Sequence, residues 1–241
     1  MPAIHDYGRH PATELTATLA DRAFGELESL IVSLELLPGE EITEKQICDR
    51  LGMGRTPVRE ALLRLRHFGL IETGVGRGLL VSPLHYEEML QVFEVGGLIS
   101  RLTLPRAAAQ RTQPEAQRFQ AMADALRQVA QADDLPRYMR LHLALQELAG
   151  RTARQTVASR LALPLSSMTR RLAVVRHRYM GDTLSLFAPQ HADLAQALSD
   201  GDSTRTLASL EALLATWTGV IESLATEAST RDLFAALQPP V

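Results

Sequence analysis

Lysine is almost missing from this chain. Lys45 stands alone against 24 arginines, which excludes lysine-based covalent chemistry anywhere outside its neighbourhood. Cysteine occurs once, at Cys48, so there can be no internal disulfide framework, and a lone thiol suits a reducing compartment. No apolar run reaches the roughly 18 residues that a membrane span needs. The first residues carry acids and no continuous apolar core, unlike a signal peptide. A cytoplasmic protein with no membrane partner is the expectation. Nor is there an excess of positive charge: 25 basic and 28 acidic groups leave −3, so any nucleic-acid surface must be local. What remains is ordinary globular usage, 46% apolar and 22% charged over 241 residues. That suits one large domain or two modest ones and excludes a disordered tail or a fibre.

Composition changes near Pro83. Residues 1–83 hold short elements punctuated by Pro38-Gly39, Gly52, Gly69 and the Gly74/Gly76/Gly78 series. Apolar residues at threes and fours predict a helix from Ala12 to Leu36. Thr43 and Gln46 form a capping-box pair for a second helix ending at Gly52. Pro57 in the first turn and Gly69 after the last apolar residue bound a third, from Arg55 to Phe68. Two β-prone runs follow, Leu70–Thr73 and Leu79–Ser82, around a glycine-rich turn. Three helices and a hairpin in this order predict a winged helix-turn-helix. Residues 84–241 read as helix at about 85–111, 115–132, 135–150, 152–180, 186–200 and 203–227, with an interruption at Pro189. The fold class is therefore mainly α, a winged helix-turn-helix followed by an all-α bundle of six or seven helices.

The third helix has two faces. At 100° per residue, with Arg55 at zero, Arg59 and Arg66 fall within about 40° of it. Val58, Ala61, Leu62, Leu65 and Phe68 occupy about 220° to 340°. Positive charge concentrates here: residues 45–77 carry seven basic and three acidic groups, whereas residues 1–83 together are negative. Arginine can bond two acceptors of guanine or a phosphate at once. Periodicity alone fits a merely solvated amphipathic helix equally well.

The sequence Leu37-Pro38-Gly39-Glu40, then Arg55-Thr56-Pro57-Val58-Arg59-Glu60-Ala61-Leu62, then Phe68-Gly69-Leu70-Ile71, resembles the DNA-binding domain of the GntR family of bacterial transcriptional regulators. The resemblance covers about 50 residues and implies DNA contacts by Lys45, by Arg55, Thr56 and Arg59, and by Gly76 and Arg77 at a wing tip. Gly54 stands where the family commonly has serine. First-turn arginines lie nearest the major-groove floor. Arg66, about 16 Å further along, would reach phosphate or nothing. The Gly74-x-Gly76-x-Gly78 series neither follows a parallel strand nor opens a helix, so it is no nucleotide loop.

The helical half is similar to the FCD effector domain of the FadR subfamily. That domain usually holds a divalent metal on an Asp-x-x-x-His pair and two later histidines, and the metal holds a small carboxylate. Here Tyr138 replaces the aspartate, His142 and His191 match, and Leu213 stands where the last histidine is expected. Gly96 and Ser100 replace an arginine and a glutamate. Two imidazoles and a neutral phenol are too few good ligands for a stable site. No cofactor is therefore assigned, with zinc, nickel or manganese as the alternative. Tyr138, His142, His191 and Arg101 are the candidate polar groups of an effector pocket, and the resemblance implies an organic acid as the small molecule. Arg170, Arg171, Arg176, His177 and Arg178 read as a solvated face or an interdomain contact rather than a second DNA site.

The expected function is a homodimeric, sequence-specific repressor that binds a palindromic double-stranded operator and answers to a small effector. Two domains are expected, 1–83 for DNA and 84–241 for effector and dimer contacts. An enzyme using His142 or His191 as general base would lack an oriented nucleophile: there is no G-x-S-x-G, and Cys48 lies in the first domain. A winged-helix protein-interaction module would not need the arginines where they are.

Overall fold

A computed structural model of the chain describes residues 18–74, 78–181 and 183–226. A head is built from α1 (Leu19–Val32), β1 (Glu41–Ile42), α2 (Glu44–Leu51), α3 (Arg55–His67), β2 (Ile71–Thr73) and β3 (Leu79–Val81). A bundle follows: α4 (Tyr86–Gln110), α5 (Gln113–Ala132), α6 (Leu135–Thr152), α7 (Thr156–Met180), α8 (Thr183–Asp200) and α9 (Ser203–Thr226). The fold is a winged helix-turn-helix followed by an all-helical bundle, as the periodicities predict.

Each head helix starts and stops for a local reason. Thr18 and Asp21 form a reciprocal capping box at α1, and Thr43 and Gln46 do the same at α2. Gly52 ends α2 in the left-handed region at φ 63°, a conformation glycine adopts without steric cost. The apolar spacing runs on to Leu36, but α1 stops at Val32. Leu34 turns left-handed at φ 61°, and Glu35 N–H donates to Leu30 O at 2.9 Å in a Schellman-type closure. That conformation costs a non-glycine residue about 1–2 kcal/mol. Burial of Leu34 and Leu36 in the head offsets it.

The sheet has the order β1-β3-β2, antiparallel throughout, with Ile71 opposite Val81 and Ile42 opposite Leu79. The hairpin was legible in sequence, whereas the two-residue β1 was not. Phe24, Leu27 and Ile31 of α1, Ile47 of α2, Val58, Leu62 and Leu65 of α3, and Ile71 and Val81 close the head's interior. The same apolar cluster continues into the bundle through Met89, Val92 and Met168.

In the bundle, α8 runs unbroken across Pro189, where the sequence suggested an interruption. A proline inside a helix costs about 3 kcal/mol. Burial of Leu184, Phe187, Ala188, Ala192 and Leu198 in the bundle outweighs that cost. Between α8 and α9, Gly201 has φ 74° and lies against the Arg111 guanidinium, whose Nε donates to Ser199 O at 2.6 Å. A side chain there would both strain the turn and expel Arg111 from the carbonyls it caps.

Candidate functional site

The first candidate surface is the start of α3. Val58, Ala61, Leu62 and Leu65 bury one face, and this orientation exposes Arg55, Thr56 and Arg59 on the other. Gly54 is the N-cap and supplies no side-chain hydrogen bond, so the first-turn N–H groups keep their donor capacity. Lys45 is also exposed, on α2. Gly76 and Arg77 lie outside the described residues.

The local positive charge is thinner than the sequence count. Arg50 pairs with Glu35 at 2.9 Å. Arg64 pairs with Asp21 at 2.7 Å and lies over the Phe24 ring at 4.2 Å, so it fastens α3 to α1. The Asp21 carboxyl is held below its usual range by hydrogen bonds from Thr18 and Arg64. Arg59 donates both arms of its fork to Glu44, Nε to Oε2 at 3.2 Å and Nη2 to Oε1 at 3.1 Å. Among the described residues no ion pair involves Lys45, Arg55 or Arg66.

The second candidate site is a cavity of about 410 Å³ lined by α4, α6, α7, α8 and α9 and open to solvent on one side. Its walls include Gly96, Ser100, Tyr138, His142, His191 and Leu213, all positions singled out from sequence. The aromatic groups interlock. The His142 and His191 ring centres are 4.8 Å apart, edge to face, and Tyr138 stacks on His142 at 6.2 Å. His191 Nδ1 lies 2.9 Å from Phe187 O and 3.1 Å from the Tyr138 hydroxyl. A backbone carbonyl only accepts, so Nδ1 carries the hydrogen and Nε2 the lone pair. Burial pushes His191 down to about 4. Burial, with His191 and Arg170 nearby, pushes His142 well below its usual value, and burial raises the Tyr138 phenol far above its own.

This donor set does not suit a resident divalent metal. Leu213 offers no ligand atom, Tyr138 is held protonated, and His191 Nδ1 is committed. Among the described residues no three of His, Cys, Asp and Glu converge. Arg101 is not part of the cavity wall, contrary to expectation. It lies on the exposed side of α4 and grips Glu211 of α9 at 2.6 and 2.8 Å.

Sequence reasoning allowed the α7 arginines an interdomain contact but did not name Glu28, the acid of the head that meets Arg170. Arg170 lines the cavity and is buried, and its Nη2 donates to Glu28 Oε1 at 2.6 Å. Glu28 is a buried acid on α1 of the head, and it also accepts from Ser167 Oγ. Arg171, next along α7, is buried too, and burial lowers its guanidinium to about 10 despite the fields of Glu88 and Glu72. Arg170, Arg171 and Arg176 are therefore no solvated face. Arg170 makes an interdomain contact, and only Arg178 of the run is exposed. An acid on the apolar face of α1, at Glu28, was the available signal.

A winged head is thus joined by a buried ion pair to a helical bundle that carries a cavity. Residues 19–81 match the model of bacterial regulatory proteins of the gntR family, and residues 91–216, more than half of the chain, match the FCD domain. The chain belongs to the gntR family and carries an FCD domain, a family of regulatory proteins rather than enzymes. Members bind DNA and effectors, typically as dimers.

An uncharacterized HTH-type transcriptional regulator of Mycobacterium tuberculosis is 29% identical over 92 residues, 38% of each chain. The Nta operon transcriptional regulator of Aminobacter aminovorans is 29% identical over 86 residues, 36% of this chain and 41% of that one. This chain thus matches well under half the length of these relatives. The structure of E. coli McbR/YncC has a TM-score of 0.74 at 16% identity, covering 88% of this chain and 100% of that one. A GntR regulator from Rhodococcus sp. RHA1 has a TM-score of 0.56 at 19% identity, covering 90% and 96%. At such identities these two likenesses concern the fold alone. No helix among the described residues is long and apolar enough to cross a membrane.

Proposed function

We propose that this chain is a cytoplasmic, sequence-specific transcriptional repressor whose operator affinity is set by a small molecule in the helical domain. The observation that carries it is the outward face of Arg55, Thr56 and Arg59 at the start of α3. A helix presented this way enters a major groove N-terminus first, and arginine forks there can read guanine. Lys45 and the wing residues Gly76 and Arg77 would add contacts to the backbone and minor groove. The chain divides at Pro83 into a DNA-reading part and an effector and dimerisation part.

Two copies would read the two halves of a palindrome. Exposed Val95, Leu98 and Leu102 recur along one side of α4, and Val157 and Leu161 are exposed on α7. The two helices approach each other at Gly96 and Leu165. These side chains are the candidate dimer surface. Tyr138, His142 and His191 supply the polar groups of the effector site. An effector can alter DNA affinity only by binding unequally to the competent and incompetent arrangements. Arg170 on the cavity wall, fixed to Glu28 of α1, is the proposed route between them.

Selection of bound duplexes from a random pool, followed by genome-wide footprinting, tests this reading. An enriched inverted repeat lying across promoters is expected. No enriched sequence at moderate salt would refute it.

A further inference from the structure

The charge balance of the cavity decides what kind of molecule it can take. Arg170, a buried cation on its wall, is neutralised by Glu28 at 2.6 Å. Tyr138, His142 and His191 border it as interlocked rings, with His191 Nδ1 held by Phe187 O and beside the Tyr138 hydroxyl. Gly96, Ser100 and Leu213 add no charge from α4 and α9. Of the other charged lining residues, Arg151 and Arg160 are exposed to water, and Arg151 pairs with Glu147 at 3.7 Å. Most of the remaining wall is apolar, with Val92, Leu104, Leu145, Leu163, Leu210 and Trp217 prominent. A carboxylate drawn inside would lose its hydration without gaining an uncompensated buried cation, and among the described residues no three of His, Cys, Asp and Glu converge to hold a metal for it.

We infer that the cavity takes an uncharged, predominantly apolar molecule with one polar head group facing Tyr138, His142 and His191, bound without a metal. The inference rests on the cavity being the effector site, as proposed above. The head group would be a hydroxyl or an amide carrying an N–H, either of which can donate. His191 Nδ1 is already engaged by Phe187 O and Tyr138, so its Nε2 lone pair is left to accept from such a group. About 410 Å³ lies in the usual range for sites that enclose a small organic ligand. The departure from a metal-held carboxylate is then a change of ligand class, with the organic acid excluded by charge.

Trp217 supplies the readout. It is the chain's one tryptophan, lines the cavity and stacks on Phe187 at 3.9 Å. Its fluorescence is to be titrated in the full chain with matched n-alkanols and n-alkanoates of six to twelve carbons. The series is repeated with added zinc, nickel and manganese, and in Gly96→Leu. Leucine at 96 adds bulk on the cavity wall, where a Cβ meets only Leu165 at 4.0 Å, and it favours the helix.

The expected result is saturable alkanol binding at least tenfold tighter than the matched alkanoate, indifferent to metal and lost in a fully folded Gly96→Leu. Equal or tighter alkanoate binding, or binding that requires a metal, overturns the ligand class while leaving the effector cavity standing. Alkanol binding that survives Gly96→Leu unchanged also overturns it, because the molecule then sits elsewhere. Absence of saturable binding by either series, with or without metal, overturns the effector cavity itself.

Discussion

Arg59 is ready for DNA and yet held by a carboxylate. Glu44 occupies both arms of its guanidinium, the geometry a guanine edge or a phosphate would require. Duplex binding must therefore exchange one partner for another. Exposed pairs of this kind contribute about 0–1 kcal/mol. Glu44→Gln should tighten duplex binding about two- to fivefold at low salt, and less as salt rises. Fluorescence anisotropy across a salt series measures it, and unchanged or weaker binding throughout would count against the exchange. The outward placement of Arg55 and Arg59 was legible from the helical wheel, because one strongly apolar face fixes the other. The Glu44 pairing was not, since it depends on the angle between α2 and α3. Arg101 was misplaced for a related reason. Apolar Val95, Leu98 and Leu102 lie on the exposed side of α4, so its pattern does not say which side faces the cavity.

Elements were legible where local signals agreed and obscure where packing overruled them. The capping boxes of α1 and α2 and the glycine stop of α2 specify their helices from a few residues each. β1 is two residues long and exists only because β3 lies beside it. Leu34 is apolar and correctly spaced for a helix, yet it serves as the left-handed closing residue, because its burial site lies beyond the turn. The contact between α1 and α7 contains a buried ion pair. Glu28 and Arg170 are both buried, so removing one partner strands the other charge. Glu28→Ala should cost about 3–5 kcal/mol in urea unfolding. The pair Glu28→Met with Arg170→Met should recover most of that loss while weakening effector response at the operator. A Glu28→Ala cost below about 1 kcal/mol would mean that the pair does not join head and bundle.

At the scale of the whole molecule, stability should record the uncharged chamber. His191 titrates near 4 when folded and near 6.5 when unfolded, and His142 is lowered as well. The unfolded chain thus binds protons first as pH falls, so stability is full above about 6.5 and declines towards 4. His191 alone contributes a loss of about 3 kcal/mol over that window. Urea midpoints between pH 7 and 4.5 should show the decline, and His142→Gln with His191→Gln should flatten it. An equally steep slope in that double variant would contradict neutral burial.

The order of a winged head before a helical bundle could be read from punctuation and periodicity. That Tyr138, His142, His191 and Leu213 border one cavity could be inferred only through the family resemblance, because they lie on three helices far apart in sequence. An interdomain contact by the α7 arginines was among the expectations, but Glu28 and Arg170 could not be paired from sequence, since they are 142 residues apart.

If the start of α3 reads base sequence, Arg59→Ala must weaken specific binding more than non-specific binding. Binding of the wild-type chain and Arg59→Ala is measured on a selected operator and on a random duplex at the same salt concentration. A loss of about 1–3 kcal/mol on the operator and a much smaller one on random duplex is expected. Equal losses on both would make Arg59 a phosphate contact, and no loss on either would mean that Arg59 does not touch DNA.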